Sequence, residues 1–598
     1  MSLKRPNPGG ESCKAGFFFI QYWAEELWAL EYAGTENNWK INQEELKMKK
    51  RILAMLLAAT MAAGALSGCG SQGDSGADSG SNSAGGEGEH LNFGCYVYST
   101  SFDPAAYQNA AWQGTRWGIT EALYKFNDDA TISPWLSDTY EVSEDHKTWT
   151  FHIRDGVKFS NGNPCDAQAV ADSLTRLFNV CESTEYSSTP RQYVDMASIE
   201  ADTEANTVTI VTNVAYADLR GPLCFPFYAI IDVEGDLTDA DHSGGYTTSV
   251  VGTGPYKLDS FDELSKSGEL LKNENYWDGE VPYDSVTMMF IEDDTTKAMA
   301  IESGDIDLTE NVTTISDLEK LENHDDFYVS KKTGVRVGFA LVNFQGILAN
   351  DALRQAVFMA VDGQTLCDTT VGGMYNYGPG VLPDTLDYDS DKLTNPYAYN
   401  QEEAMKVLDE NGIVDSDGDG IRELDGENVV LEFDTYKNRC LSDFAEGIQS
   451  QLAAVGIGCN VNVLDSDTLW MQMQEGDYDL TNGNWITVGT GDPEAFLLNW
   501  YGDGGNNFFT PDNTDATNYC SYDNEEFNKL YEQFVSSLDE QERKDLVVEM
   551  EQILINDCAV LVHGYYNSTM ISNVSKVTGA EIPAFDYYWL TTDIKPAE

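Results

Sequence analysis

Trp149-Thr-Phe-His-Ile-Arg-Asp-Gly-Val-Lys-Phe-Ser-Asn-Gly-Asn-Pro164 is the stretch on which the fold turns. Trp149, Phe151 and Ile153 fall on one side, and Thr150, His152 and Arg154 on the other, the alternation of a half-buried strand. Asp155-Gly156 and Asn161-Gly162 are turn signals. Asp166 then stands where a helix N-cap belongs. Val170, Leu174, Leu177 and Phe178 follow at the spacing of one helix face. The segment therefore reads strand, turn, strand, turn, helix.

Further out, 91–98, 208–211, 286–291 and 429–433 read as strands. Asn400-x-x-Glu403 makes a capping box for a helix over 401–410, and Gly412 ends it. Strands and helices alternate along the whole length, so the class is α/β. The chain has 598 residues, 42% of them apolar, enough for two or three packed units. There are 35 Lys and Arg against 100 Asp and Glu, a formal charge of −65. Such an acidic chain is a poor partner for nucleic acid or anionic lipid and suits an extracellular protein. Beyond Cys13 and Cys69, nine cysteines are scattered with no C-x-x-C pair. They read as small buried hydrophobes, not as a disulfide framework or zinc cluster.

Upstream, 48–69 reads MKKRILAMLLAATMAAGALSGC. Lys49, Lys50 and Arg51 precede a short apolar run and a small-residue exit, the plan of a secretory signal peptide and too short to span a bilayer. Leu66-Ser67-Gly68-Cys69 resembles the bacterial lipobox, which implies cleavage before Cys69 and acylation of its thiol. Residues 70–89 are Gly, Ser, Asp and Glu almost throughout, a flexible tether with a reach of roughly 25 Å. Residues 1–47 sit badly before a signal peptide. Gln43-Glu44-Glu45 can be encoded by a purine-rich ribosome-binding string, so the expected start is Met48 and 1–47 a mis-called leader.

Several stretches together resemble the family 5 extracellular solute-binding proteins, the oligopeptide-, dipeptide- and nickel-binding subunits of ABC importers. They are 149–164, Val251-Gly-Thr-Gly-Pro-Tyr-Lys257, Asn273-Glu-Asn-Tyr-Trp277, Gly304-Asp-Ile-Asp307, Leu353-Arg-Gln-Ala356 with Asp362, Gly476-Asp-Tyr-Asp479, and Trp485 with Asp492-Pro493. The resemblance implies a two-lobed, periplasmic-binding-protein-like α/β fold with an extra domain inserted in the first lobe. Domain I would comprise 91–133, 245–333 and 567–598, domain II 134–244, and domain III 334–566. The chain would cross the hinge near Thr333-Gly334 and near 565–567. The implied function is capture of di- or oligopeptides between the lobes and delivery to a membrane permease. The protein would be a monomer on the outer face of the cytoplasmic membrane or in the periplasmic space, with no cofactor and no enzymatic activity.

The resemblance also implies a site. Peptide-binding members hold the ligand ammonium with an Asp about three residues after a Trp. Here Val488 occupies that place and the loop 485–493 is longer. Asp492 either takes the role or caps the helix after Pro493. Trp485 is a candidate cleft wall or ordinary core. Tyr565, Tyr98, Ser99 and Asn343 match places where the family lines its cleft. Asp415, Asp417 and Asp419 match the front of a calcium loop, but Gly426 stands where the bidentate Glu belongs.

Three other classes compete. A hydrolase lacks any H-E-x-x-H, and no G-x-S-x-G precedes a helix in the folded body. A nickel or metal-chelate binder on the same fold needs few protein ligands, although the six histidines form no cluster. An oligosaccharide binder could stack its ligand on Trp485.

Overall fold

The computed structural model describes residues 88–96, 99–182, 186–233, 250–514 and 516–598. Cys69, the lipobox, the tether up to residue 87 and Tyr98 lie outside these residues. Among the described residues no helix is long and apolar enough to cross a membrane.

The decisive stretch folds as its pattern demands. Thr148–Ile153 is a strand with Trp149, Phe151 and Ile153 buried. Gly156 and Gly162 take positive φ at the two turns. Asp166 caps Ala167–Val180 by accepting from the amides of Gln168 and Ala169. The helix packs Val170, Leu174, Leu177 and Phe178 against a four-stranded sheet ordered Ser137–Val142, Thr148–Ile153, Thr207–Thr212, Met196–Asp202.

A second, eleven-stranded sheet organises the remainder. Its two longest strands, Phe327–Val342 and Val560–Asn573, run antiparallel along each other. At one end Val560–Asn573 pairs with Leu308–Glu310, and through it with His90–Cys95 and Ser285–Phe290, which are mutually parallel. At the other end Phe327–Val342 pairs with Leu480–Ile486, beyond which Val430–Thr435 and Gly458–Val463 lie parallel. The two long strands thus thread two parallel half-sheets. Their register breaks between Thr333 and Val337, opposite Tyr565 and Asn567.

This topology places an open cleft. In open α/β sheets the free space lies beyond the carboxyl ends of parallel strands. Here those ends come from both half-sheets and face a common gap: Tyr96 after the first strand, Glu292–Asp294 after Ser285–Phe290, Lys437–Arg439 after Val430–Thr435, and Trp485 onward. The strand expected at 91–98 is His90–Cys95. Gln401–Glu410 is a helix with the bounds expected, and Asn400 accepts from the Glu403 amide. All nine cysteines of the folded body are free thiols, eight of them buried.

Candidate functional site

The cleft is open to solvent and has a volume of ≈ 2210 Å³. The helix Gln108–Arg116 and the segments 189–193 and 214–225 wall one side; the helical start 437–443 and the 484–499 stretch wall the other.

Its floor is a cluster of arginines. Asp586 is buried, and its Oδ2 lies 3.0 Å from Arg116 Nη2, 3.1 Å from Arg336 Nη2 and 3.5 Å from Arg439 Nη2. Burial pushes the Asp586 carboxyl up, but Arg336, Arg116 and Arg439 overcome that and hold it at about 2. Trp112 lies beneath, with the Arg116 guanidinium 4.6 Å and that of Arg336 5.7 Å from its ring centroid. Arg439 donates to Tyr96 Oη and faces the rings of Tyr96 and Tyr566. Its backbone is left-handed at φ 54°, and Cys440 follows at 57°. A non-glycine pair there is strained and needs support; the Tyr375 hydroxyl supplies some by donating to the Arg439 carbonyl at 2.8 Å.

The wall formed by 485–494 is acidic. Arg543 Nη2 donates to both Asp492 and Glu494, the latter at 3.2 Å. Its Nη1 is anchored on the Phe534 and Ser537 carbonyls. Burial and the neighbouring Asp492 raise the Glu494 carboxyl, against the pull of Arg543. Asp492 lines the cleft and also accepts from the Glu494 amide at 3.0 Å. It therefore takes part in capping the short helix Glu494–Leu497, and its charge is already met by Arg543.

Trp485 lines the cleft, edge-on to Phe339 at 5.0 Å. Trp470 joins it on the rim, 6.5 Å away between centroids and 5.2 Å from Tyr519. The other expected site residues lie elsewhere. Tyr565 is buried in the core, its hydroxyl donating to the Gly380 carbonyl at 3.3 Å. Asn343 is tied to the Gly476 and Tyr478 carbonyls. Ser99 is buried and bonded to Tyr107 and Gln113. Val488, where the family's ammonium-binding Asp would fall, is fully buried. Asp415, Asp417 and Asp419 are exposed, with ligand atoms within 4.8 Å of one another. Asp415 already accepts from the amides of Gly418 and Gly420, and Asp419 from Asn428.

The arginine floor was not read from the sequence. A signal existed: Arg336 interrupts the apolar run 335–342, and Asp586 is the lone charge in the aromatic run 585–589. A charge in such company is buried and needs a partner. Nothing in the sequence says that the two meet.

A cleft between two halves joined by a pair of through-running strands is the arrangement of proteins that close around a solute. The class is thus that of two-lobed solute-binding proteins. The chain belongs to the bacterial extracellular solute-binding proteins of family 5, whose middle-region profile matches residues 131–508. It is accordingly a solute-binding protein of the ABC-importer class, a family of binding proteins and not of enzymes. It is 27% identical over 389 residues to the nickel-binding periplasmic protein of Escherichia coli, covering 63% of this chain and 72% of that one. It is 23% identical over 500 residues to the dipeptide-binding protein DppE of Bacillus subtilis, covering 79% and 86%. The fold is shared with DppA of Helicobacter pylori, solved with the peptide STSA, at a TM-score of 0.69, 21% identity and coverage of 85% and 98%.

Proposed function

We propose that this chain captures di- or oligopeptides in the cleft and presents them to a membrane permease. The observation that carries the reading is the size and polarity of the cleft. At ≈ 2210 Å³ it exceeds the roughly 300–1,000 Å³ of a pocket for one compact small molecule. It also carries guanidiniums on its floor, Arg336 and Arg439, which suits a ligand bearing a carboxylate. The dipeptide-binding relative supports the same reading. A metal chelate is the second reading, favoured by the nickel-binding relative. An oligosaccharide stacked on Trp485 and Trp470 is the third.

Within this proposal the two lobes move about the register break at 333–337 and 565–567. Domain I comprises 91–133, 245–333 and 567–598, domain II 134–244, and domain III 334–566. Trp485 and Asp492 face the ligand. Cleavage before Cys69 and acylation of its thiol anchor the body to the outer face of the membrane, and the chain acts as a monomer.

The test is a thermal-shift screen of the purified protein against pooled di- to octapeptides, nickel–histidine and oligosaccharides. A ligand at 100 times its dissociation constant adds about 2.7 kcal/mol, a visible shift. Stabilisation by peptides is expected. A response to chelate or sugar alone overturns the peptide reading and leaves the family intact.

A further inference from the structure

We propose that Trp470, braced by Trp485 and Tyr519, forms an aromatic platform on the cleft wall that takes an aromatic side chain of a bound peptide and makes the site selective for peptides that carry one. This deepens the peptide reading of the cleft and rests on it.

Trp470 is out of place for a packing residue. It stands on the helix Ser466–Glu475, whose Leu469 and Met473, four residues apart, are the buried pair. Trp470 follows Leu469 directly, about 100° further around the helix, and is 41% exposed. The outer face of a helix ordinarily carries polar side chains. An indole left in water there gains nothing for the fold, because apolar surface is stabilising only when it is removed from water. Trp470 lines the cleft, so its open surface lies where a ligand passes and not on a remote flank.

Other rings hold it in place. Trp485 comes from the strand Leu480–Ile486, with its centroid 6.5 Å from that of Trp470 and 62° between the planes. Tyr519 comes from the segment 506–520, at 5.2 Å and again 62°. Such edge-to-face pairs are favourable contacts of aromatic quadrupoles. Trp485 is itself set edge-on to Phe339 at 5.0 Å, and Tyr519 lies 5.0 Å from Phe509. Phe339 is fully buried, so a continuous run of rings leads from the core out to Trp470. A surface fixed in this way before the ligand arrives loses little freedom on binding.

Charge narrows the occupant. Trp485 and Tyr519 line the cleft as well. The other cleft residues from the same three elements are Ser466, Asp467, Asn484, Ile486 and Thr517, and Asp467 is the only ionised one. The cleft arginines, Arg336, Arg439 and Arg543, come from other elements. An acidic side chain therefore finds no cation on the platform. An aromatic ring buries its own area and adds a ring–ring contact that an aliphatic chain does not make.

Calorimetry on the full chain tests this with pooled di- to octapeptides in two matched sets, one containing Phe, Tyr or Trp and one with Ala in their places. The aromatic set is expected to bind at least tenfold more tightly. Trp470→Ala brings that ratio toward one, and Trp470→Phe keeps most of it. Because the ratio is taken within one variant, any general loss of folding cancels. Equal binding of the two sets overturns the platform and leaves the peptide reading standing. A ratio that Trp470→Ala does not change also overturns it, since the preference then arises elsewhere in the cleft. Binding of nickel–histidine or an oligosaccharide with neither peptide set overturns both the platform and the peptide reading.

Discussion

At the scale of single residues, the chemistry of this protein is concentrated in a few ionisable groups placed where water is scarce. Asp586 is the central one. Removing its charge leaves three buried guanidiniums facing each other, so Asp586→Asn should destabilise by about 3–5 kcal/mol in urea unfolding at neutral pH. The sign of its pH dependence follows from its depressed carboxyl, at about 2 against an ordinary 3.8. Its contribution is present above 3.8 and is lost as pH falls toward 2. Glu551 behaves oppositely. Burial raises it to about 8, one oxygen accepts from the Leu382 amide at 3.0 Å, and the other has no partner. Between 4.5 and about 8 the folded chain holds a proton that the unfolded chain has released. Stability therefore falls as pH rises through that window. Glu551→Gln keeps the acceptor and cannot ionise, so its urea midpoint should fall less between pH 5 and pH 8 than that of the unchanged protein.

At the scale of elements, caps and turns carry much of the specification. Asp166 accepts from two amides at the start of Ala167–Val180, both at 3.1 Å. Asp166→Ala should cost about 1 kcal/mol, read as a shift in unfolding midpoint with the ligand response unchanged. That helix and its neighbouring strands were legible because local pattern and tertiary role agree: the apolar face of 170–178 is the face that the four-stranded sheet covers. The first strand was read too long because Tyr96, apolar in its ring, continues the pattern while its backbone has already left the sheet to reach Glu310. Tyr565 and Asn343 show a different limit. Each sits at the end or within the run of a strand that reaches the cleft region, but period-2 alternation does not say which face a register break will present. Tyr565 pairs across from Val337, just past the break, and its ring goes to the core.

At the scale of the whole molecule, the two cleft walls come into close backbone contact at Gly221 and Thr490. A Cβ on Gly221 would lie 2.1 Å from the Thr490 carbonyl oxygen, an atom fixed in the 485–493 loop of the opposite wall. Gly221 has an ordinary helical backbone, so the demand there is space and not conformation. Gly221→Ala should force the walls apart at a cost of about 1–3 kcal/mol. Ligand affinity should fall roughly tenfold or more, with an increased radius of gyration in solution scattering of the ligand-saturated protein. Unchanged affinity would mean that this contact persists in every state and plays no part in closure.

The sequence by itself determined the α/β class, the strand–turn–helix order of 148–180 and the caps of 167–180 and 401–410, because each depends on residues a few positions apart, and it pointed to the family through the order of several short motifs from 149 to 493. The family resemblance offered Trp485 and Asp492 as candidate cleft residues, with core and helix cap as their rival readings, and both line the cleft. Only the tertiary structure decided that Arg116, Arg336, Arg439 and Asp586 meet, across separations of up to 470 residues. It alone decided that Asp492 spends its charge on Arg543. A buried ion cluster is settled by how a helix end, a strand interior and two loop segments converge in space, and no local pattern records that.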